Sequence, residues 1–135
     1  VSLASTVLAS IAGISLLVSA LMIIVTMYMS VSERTKEIGI LRALGERKKD
    51  IRRLFTSESV FIGLFSAILA LLIVAVVTVI INHALYGLIK YNIVQITVGN
   101  VIFAIVIAIV ISFIAALLPA RRAANLNPID ALAAD

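Results

Sequence analysis

Ionisable side chains are scarce in this sequence, and most are gathered in one place. The stretch from Val31 to Glu58, VSERTKEIGILRALGERKKDIRRLFTSE, holds eight of the eleven Lys and Arg residues and five of the seven acids. Chemistry done by the chain's own groups would be done here. General acid–base work calls for a group that titrates near neutrality. The one histidine, His83, lies elsewhere, and no serine–histidine–acid set is in reach of it. Gly39 and Gly45 invite comparison with a phosphate loop. Their spacing is wrong by one residue, no strand precedes them, and Glu46-Arg47 stands where Lys and Ser or Thr would meet phosphate and magnesium. With no cysteine and one histidine, there is neither a disulfide nor a zinc set. No catalytic residue, metal ligand or cofactor site is assigned. Acids interspersed with bases are instead the pattern of a salt-bridged helix face, and the chemistry on offer is recognition.

The helical wheel shows how such a face is arranged. At about 100° per residue, Glu33 to Glu46 reads as an amphipathic helix of about three turns. Ile38, Leu41, Leu44 and Gly45 fall on one side, together with Arg34 and Glu37. Thr35, Lys36, Gly39, Ala43 and Glu46 fall on the other, with Ile40 and Arg42 at the margins. Ser30, three residues before Glu33, or Ser32 supplies the start. Gly45 suits the left-handed position that closes a helix. On this reading Ile38, Leu41 and Leu44 are free to bury in a partner's groove. A second helix is expected from near Glu46, with Glu46 and Asp50 at the positive end of its dipole. Its apolar face is Ile51, Leu54 and Phe55. Its basic cluster, Arg47, Lys48, Lys49, Arg52 and Arg53, suits anionic headgroups.

The elements around this stretch belong to a membrane. Of the 135 residues, 63% are hydrophobic and 13% charged, and the mean hydropathy is +1.23. A soluble chain this short has too little interior to hide so much apolar surface. Three runs reach the roughly 20 apolar residues that a helical span needs: about 5–29, 60–81 and 101–118. The first has no basic leader and exceeds the core of a signal peptide, so it reads as a true span. Ala9 with Gly13, and Ser15 with Ser19, are four apart. They either admit another helix closely or are small residues of no consequence. The helix of the basic cluster is expected to run unbroken into the second span. Glu58 stands at its threshold, either solvated or paired with Arg52 or Arg53.

The remaining segments are connections. Residues 82–100 form a loop with Lys90, His83 and the interfacial aromatics Tyr86 and Tyr91. Ile93 to Val98 alternates loosely, as a short extended piece does. Pro119 ends or kinks the third span, and Arg121 and Arg122 snorkel toward headgroups. Asn127-Pro128 then opens a short surface helix to Ala134, with Asp130 in its first turn. Residues 31–58 and 119–135 carry ten of the eleven bases, which places both in the cytoplasm by the positive-inside rule. The chain then starts outside at Val1 and ends inside at Asp135. No aromatics interleave with the bases as a base-stacking platform requires, so nucleic acid is excluded as a partner. No charge lies within the three runs, which argues against an ion or proton path.

VSERTKEIGILRALGERKKDI, with Glu58 at the head of the next span, resembles the cytoplasmic loop of ABC-transporter permeases of the FtsX-like, MacB type. PARRAANLNPIDAL, Pro119 to Leu132, resembles their C-terminal signature. The resemblance implies an all-α integral membrane fold with three transmembrane helices here and a cytoplasmic coupling helix between the first and second. It implies a prokaryotic cytoplasmic membrane, and a fragment that lacks the first span and the extracytoplasmic domain. It implies a second permease copy, an extracytoplasmic domain or adaptor, and an ABC ATP-binding subunit or domain that holds the ATP and magnesium. The coupling helix carried over by position involves Glu33, Arg34, Glu37, Ile38, Gly39, Arg42, Ala43 and Gly45, to which the apolar face adds Leu41 and Leu44. Glu58, Arg52, Arg53, Pro119, Arg121 and Arg122 are membrane-edge residues. The family's glycines beyond Glu58 are represented by Gly63 alone, with Ser66, Ala67 and Ala70 after it, and Ala115 and Ala116 stand where a glycine commonly precedes the proline.

The expected function is transmission of ATP-driven motion across the membrane, for export of a peptide, antibiotic or similar substrate. Lipoprotein release of the LolC type and FtsX-like control of cell-wall hydrolases are the alternatives within the family. Outside it stands a non-enzymatic scaffold whose basic loop binds membrane lipid. That reading leaves unexplained why Glu33, Glu37, Glu46, Asp50 and Glu58 dilute the patch.

Overall fold

The computed structural model describes residues 2–133. Five helices follow in order: α1 (Leu3–Glu33), α2 (Thr35–Ala43), α3 (Lys48–Ile89), α4 (Val98–Ala124) and α5 (Pro128–Ala133). The fold is all-α, with a short helix between the first two of three long apolar ones and no strand among the described residues. Val1, Ala134 and Asp135, on which the expected chain ends rest, lie outside the described residues. In the most apolar window of α1, α3 and α4, respectively 0%, 6% and 17% of residues are buried inside the chain. Helices so apolar and so uncovered are stable in lipid, because their backbone polar groups are bonded internally and their side chains need no water. The chain is a multi-pass membrane protein.

The connection between α1 and α2 differs from its expected form. Ser30 and Ser32 cap nothing, because α1 runs through both to Glu33. The break falls at Arg34, whose N–H still donates to the Ser30 carbonyl at 3.0 Å. Glu33 therefore belongs to α1, and α2 is a helix set at an offset to it rather than a new start. Its far end is as expected. Gly45 has φ +102°, the Glu46 N–H donates to the Leu41 carbonyl at 3.0 Å, and the Gly45 N–H donates to that of Arg42 at 3.2 Å. This paired closure leaves few carbonyls of α2 unbonded. The next helix starts at Lys48, two residues later than expected, with the Arg47 N–H donating to the Asp50 carboxylate at 3.3 Å.

From Lys48 to Ile89 α3 is unbroken, so the basic cluster and the second apolar run share one rod. It continues past Ile81 and closes at Lys90, which adopts a left-handed φ of 60°. The non-helical connection is thus 90–97. The short extended piece expected at Ile93 to Val98 is not a strand. The Asn82 side chain takes the place of a neighbouring strand there. Its Nδ2 donates to the Val94 carbonyl at 2.8 Å, and its Oδ1 accepts the Val94 N–H at 3.1 Å. One amide thereby satisfies both backbone groups of a residue that has no sheet to join.

Pro119 does not end the last long helix, which runs on to Ala124. Proline removes one backbone bond, but Ala120, Ala123 and Ala124, with the two arginines between them, are strong helix formers. Ala120 and Ala123 are also fully buried, and Ala124 is nearly so, so tertiary packing holds the turn that the proline weakens. Upstream, α3 and α4 approach most closely at Gly63 and Ser112, where a Cβ on the glycine would collide with the serine side chain. The buried Ser59 hydroxyl donates to the Ser112 carbonyl at 2.9 Å, and the Ser112 hydroxyl donates to the Ala108 carbonyl at 2.7 Å. Ala67, Ala115 and Ala116 are buried along the same helices. By contrast Ala9, Gly13, Ser15 and Ser19 on α1 are exposed. Nothing in the chain approaches Gly13 within 4 Å of where its Cβ would lie.

Candidate functional site

The charged connection and the C-terminal segment meet at one end of the bundle. Met27 and Val31 of α1, Ile38 of α2, Ile51 and Phe55 of α3, and Ala120 and Ala123 of α4 form one buried cluster, with Ile23 and Leu126 packed on it. Four helices thus share a core at the basic end, although their apolar middles leave most of their surface to lipid. Leu54, expected to share the inward face with Ile51 and Phe55, is 43% exposed.

The partner-facing side of α2 needs correction. Ile38 is 2% exposed, already covered by the chain's own helices, and is not free to enter a partner. Leu41 is half-buried as well. The outward face is rotated from the expected one and carries Lys36, Glu37, Ile40, Ala43 and Leu44, continued by Glu33 at the end of α1. Ile40 and Leu44 are 45% and 78% exposed. An apolar stripe can face a partner or the protein's own core, and the wheel does not distinguish them. Ile40, set aside as marginal, belongs to the exposed apolar pair.

Behind that face α2 rests on α5. Gly39 is buried, and a Cβ added to it would lie 2.8 Å from Ala131 Cβ and 3.2 Å from the Leu132 nitrogen. The glycine permits a contact of backbone on backbone. As expected, Asn127 opens α5 by accepting the Ile129 N–H at 3.1 Å, ahead of Pro128 and Asp130. The two stretches that resemble family signatures are therefore in direct contact.

Glu58 is partly exposed, and its partner is neither Arg52 nor Arg53. Arg34 reaches it across the helices, with Nη1 2.9 Å from Oε2. The same guanidinium lies 3.5 Å from Glu37 and 5.2 Å from the centre of the Phe55 ring. The pair ties the α1–α2 corner to the threshold of α3. Both side chains are about a third exposed, 35% and 38%, so Glu58→Gln is expected to cost no more than ~1 kcal/mol. The loss should appear as a lower thermal midpoint that shrinks further in importance at high salt. A midpoint equal to wild type at low salt would mean that the pair holds nothing. Arg42 donates to the Glu46 carbonyl at 3.1 Å, while its Nε is buried with no partner. Arg122 lies over the Tyr28 ring at 5.4 Å, a link between α4 and α1 that nothing in the local sequence marked. Arg121, Arg52 and Arg53 are exposed.

No group of three or more His, Asp or Glu side chains gathers among the described residues as a metal site would. The arrangement is a packed knob built from α2, α5 and the ends of the long helices, with one outward face. The chain belongs to the FtsX-like permease family, whose C-terminal region matches residues 9–128. It is 40% identical over 128 residues to an uncharacterised ABC transporter permease of Methanocaldococcus jannaschii, covering 90% of this chain and 31% of that protein. It is 38% identical over 128 residues to the macrolide export ATP-binding/permease protein MacB of Neisseria gonorrhoeae, covering 95% of this chain and 19% of that one. With the ABC transporter permease YtrF of Bacillus subtilis it shares 35% over 130 residues, 88% of this chain and 30% of the relative. The chain thus spans less than a third of the length of each.

Proposed function

We propose that this chain is the part of an ATP-driven permease that carries motion from a nucleotide-hydrolysing partner into the membrane, with α2 as the point of contact. The observation that carries the reading is the outward face of α2. Ile40 and Leu44 stay exposed there among Glu33, Lys36, Glu37 and Ala43, while the opposite side is fastened to the core and to α5. A helix held firmly from behind moves its neighbours when it is pushed. On this proposal the coupling residues divide by role. Glu33, Glu37, Ala43, Leu44 and Gly45 meet the partner, and Arg34, Ile38, Gly39, Leu41 and Arg42 hold α2 in place.

The basic end then faces the cytoplasm, where ATP and magnesium sit on the partner ATPase, and a second permease copy completes the assembly. The macrolide export named for the Neisseria relative favours export of an antibiotic-like substrate over the family's other tasks. The test is Ile40→Asp with Leu44→Asp in the full-length protein. Both positions are exposed, so the thermal midpoint should stay near wild type while co-purification of the ATPase and its permease-dependent turnover fall by at least ~tenfold, the loss expected when central apolar anchors worth ~2 kcal/mol are removed. Undiminished association and turnover in the double variant would show that α2 is not the contact.

A further inference from the structure

A cavity of about 480 Å³ lies between α3 and α4 at the basic end of the bundle, and its two parts differ in chemistry. Arg52, Arg53, Thr56 and Ser57 line one part, and Phe61, Leu64, Phe113 and Leu117 line the other. The division arises because α3 passes here, without interruption, from its basic first turns into its apolar run. From Arg52 to Phe61 the rise is ~13 Å, about the passage from headgroup level into acyl chains.

The acids nearest to the two arginines on α3 are engaged elsewhere. Among the described residues neither arginine makes an ion pair. Glu58, the carboxylate that follows them on α3, is held by Arg34 at 2.9 Å, and Asp50 is turned back to the Arg47 N–H. The Thr56 hydroxyl donates to the Arg52 carbonyl at 2.8 Å, whereas the exposed Ser57 hydroxyl makes no hydrogen bond among the described residues. Two arginines that line one cavity, with a hydroxyl beside them, suit the oxygens of a phosphate. Phe61 and Phe113 are 60% and 47% exposed, so the apolar part opens to the bilayer.

We propose that this groove binds one anionic phospholipid, with the phosphate on Arg52 and Arg53 and an acyl chain along Phe61, Phe113 and Leu117. Another transmembrane helix is the competing occupant. It would cover the aromatic wall but would leave two cations without a counter-charge at the membrane edge. A soluble phosphate compound would satisfy the arginines and leave the aromatic wall empty. The inference is independent of what α2 touches.

The experiment is native mass spectrometry of the full-length protein, released from micelles containing equal amounts of phosphatidylglycerol and phosphatidylcholine. Wild type should retain phosphatidylglycerol preferentially. With each arginine worth about fivefold near a charged headgroup, Arg52→Gln with Arg53→Gln should lower that preference by at least tenfold. Lys48→Gln with Lys49→Gln removes the same charge from the same helix outside the groove and should leave the preference in place. Glycerol phosphate, which has the phosphate without acyl chains, should not displace the bound lipid. Equal retention of the two lipids by wild type would overturn the proposal and leave the groove to another helix. An equal loss in the lysine variant would reduce it to diffuse charge, and displacement by glycerol phosphate would make it a soluble-anion site.

Discussion

Ile38→Asp is expected to take apart the basic end of the molecule. The side chain is 2% exposed and sits among Met27, Val31, Ile51, Phe55, Ala120 and Ala123. A carboxylate there loses its water and finds no ready counter-ion. Arg34, one turn before, is committed to Glu58, and Arg42, one turn after, to the Glu46 carbonyl. Arg34 can turn toward the new charge only by giving up its ion pair with Glu58, and Arg42 has only its buried, unpartnered Nε to offer. The expected cost is more than ~3 kcal/mol, the scale of an uncompensated buried charge. Ile38→Val, which removes one methylene, should cost only about 0.5–1.5 kcal/mol. The readouts are the thermal midpoint in detergent and protease cleavage within residues 34–47, which should accelerate in the Asp variant and not in the Val one. A midpoint close to wild type for Ile38→Asp would place Ile38 outside the core. This variant should lose ATPase association too, but together with stability, whereas Ile40→Asp with Leu44→Asp should lose association alone. The pair of experiments separates a broken contact from a broken support.

The second large effect is expected deep in the bundle, from a single methyl group. Gly63→Ala sets a Cβ against the Ser112 side chain, including 2.7 Å from Ser112 Cβ, and 3.1 Å from the Ala108 carbonyl oxygen. A hydroxyl can rotate away, but a Cβ and a carbonyl move only with the backbone. The helices must separate, and the bond from Ser59 to the Ser112 carbonyl stretches with them. Overpacking of this kind costs about 1–3 kcal/mol. Ser112→Gly alone should cost about 0.5 kcal/mol from helix propensity. In the double variant the two Ser112 atoms are gone and only the Ala108 carbonyl oxygen at 3.1 Å remains, so the total should fall below the sum of the two single effects. Additive losses, measured as unfolding free energies or midpoints in one detergent, would show that the two positions do not meet.

The sequence disclosed most where the physics is local or dictated by the solvent. Three apolar runs, the left-handed Gly45 and the Asn127-Pro128 start of α5 follow from composition and from rules that span a few residues, and each is present. The candidate site was legible in part, because Ile38 obeys the same periodicity whether it faces a partner or its own core. Only the placement of α3 and α4 decides between them. The partner of Glu58 lies 24 residues away in sequence, so local reading offered only solvent or the nearby Arg52 and Arg53. Pro119 broke a local rule because buried alanines on either side of it hold the helix together. The amide of Asn82 gave no signal, since asparagine at the end of a span is equally at home facing water.

The 42 residues of α3 give a further consequence. At 1.5 Å each they make a rod ~63 Å long, with no proline inside it to serve as a hinge. A tilt of roughly 5° about its basic end moves the other end sideways by about 5 Å, the pitch of one helical turn. Asn82 fastens the 90–97 connection to that moving end through both bonds to Val94, so the displacement is delivered to the connection rather than lost in slack chain. Small angular play in the knob is amplified by geometry alone, without any helix having to bend or slide.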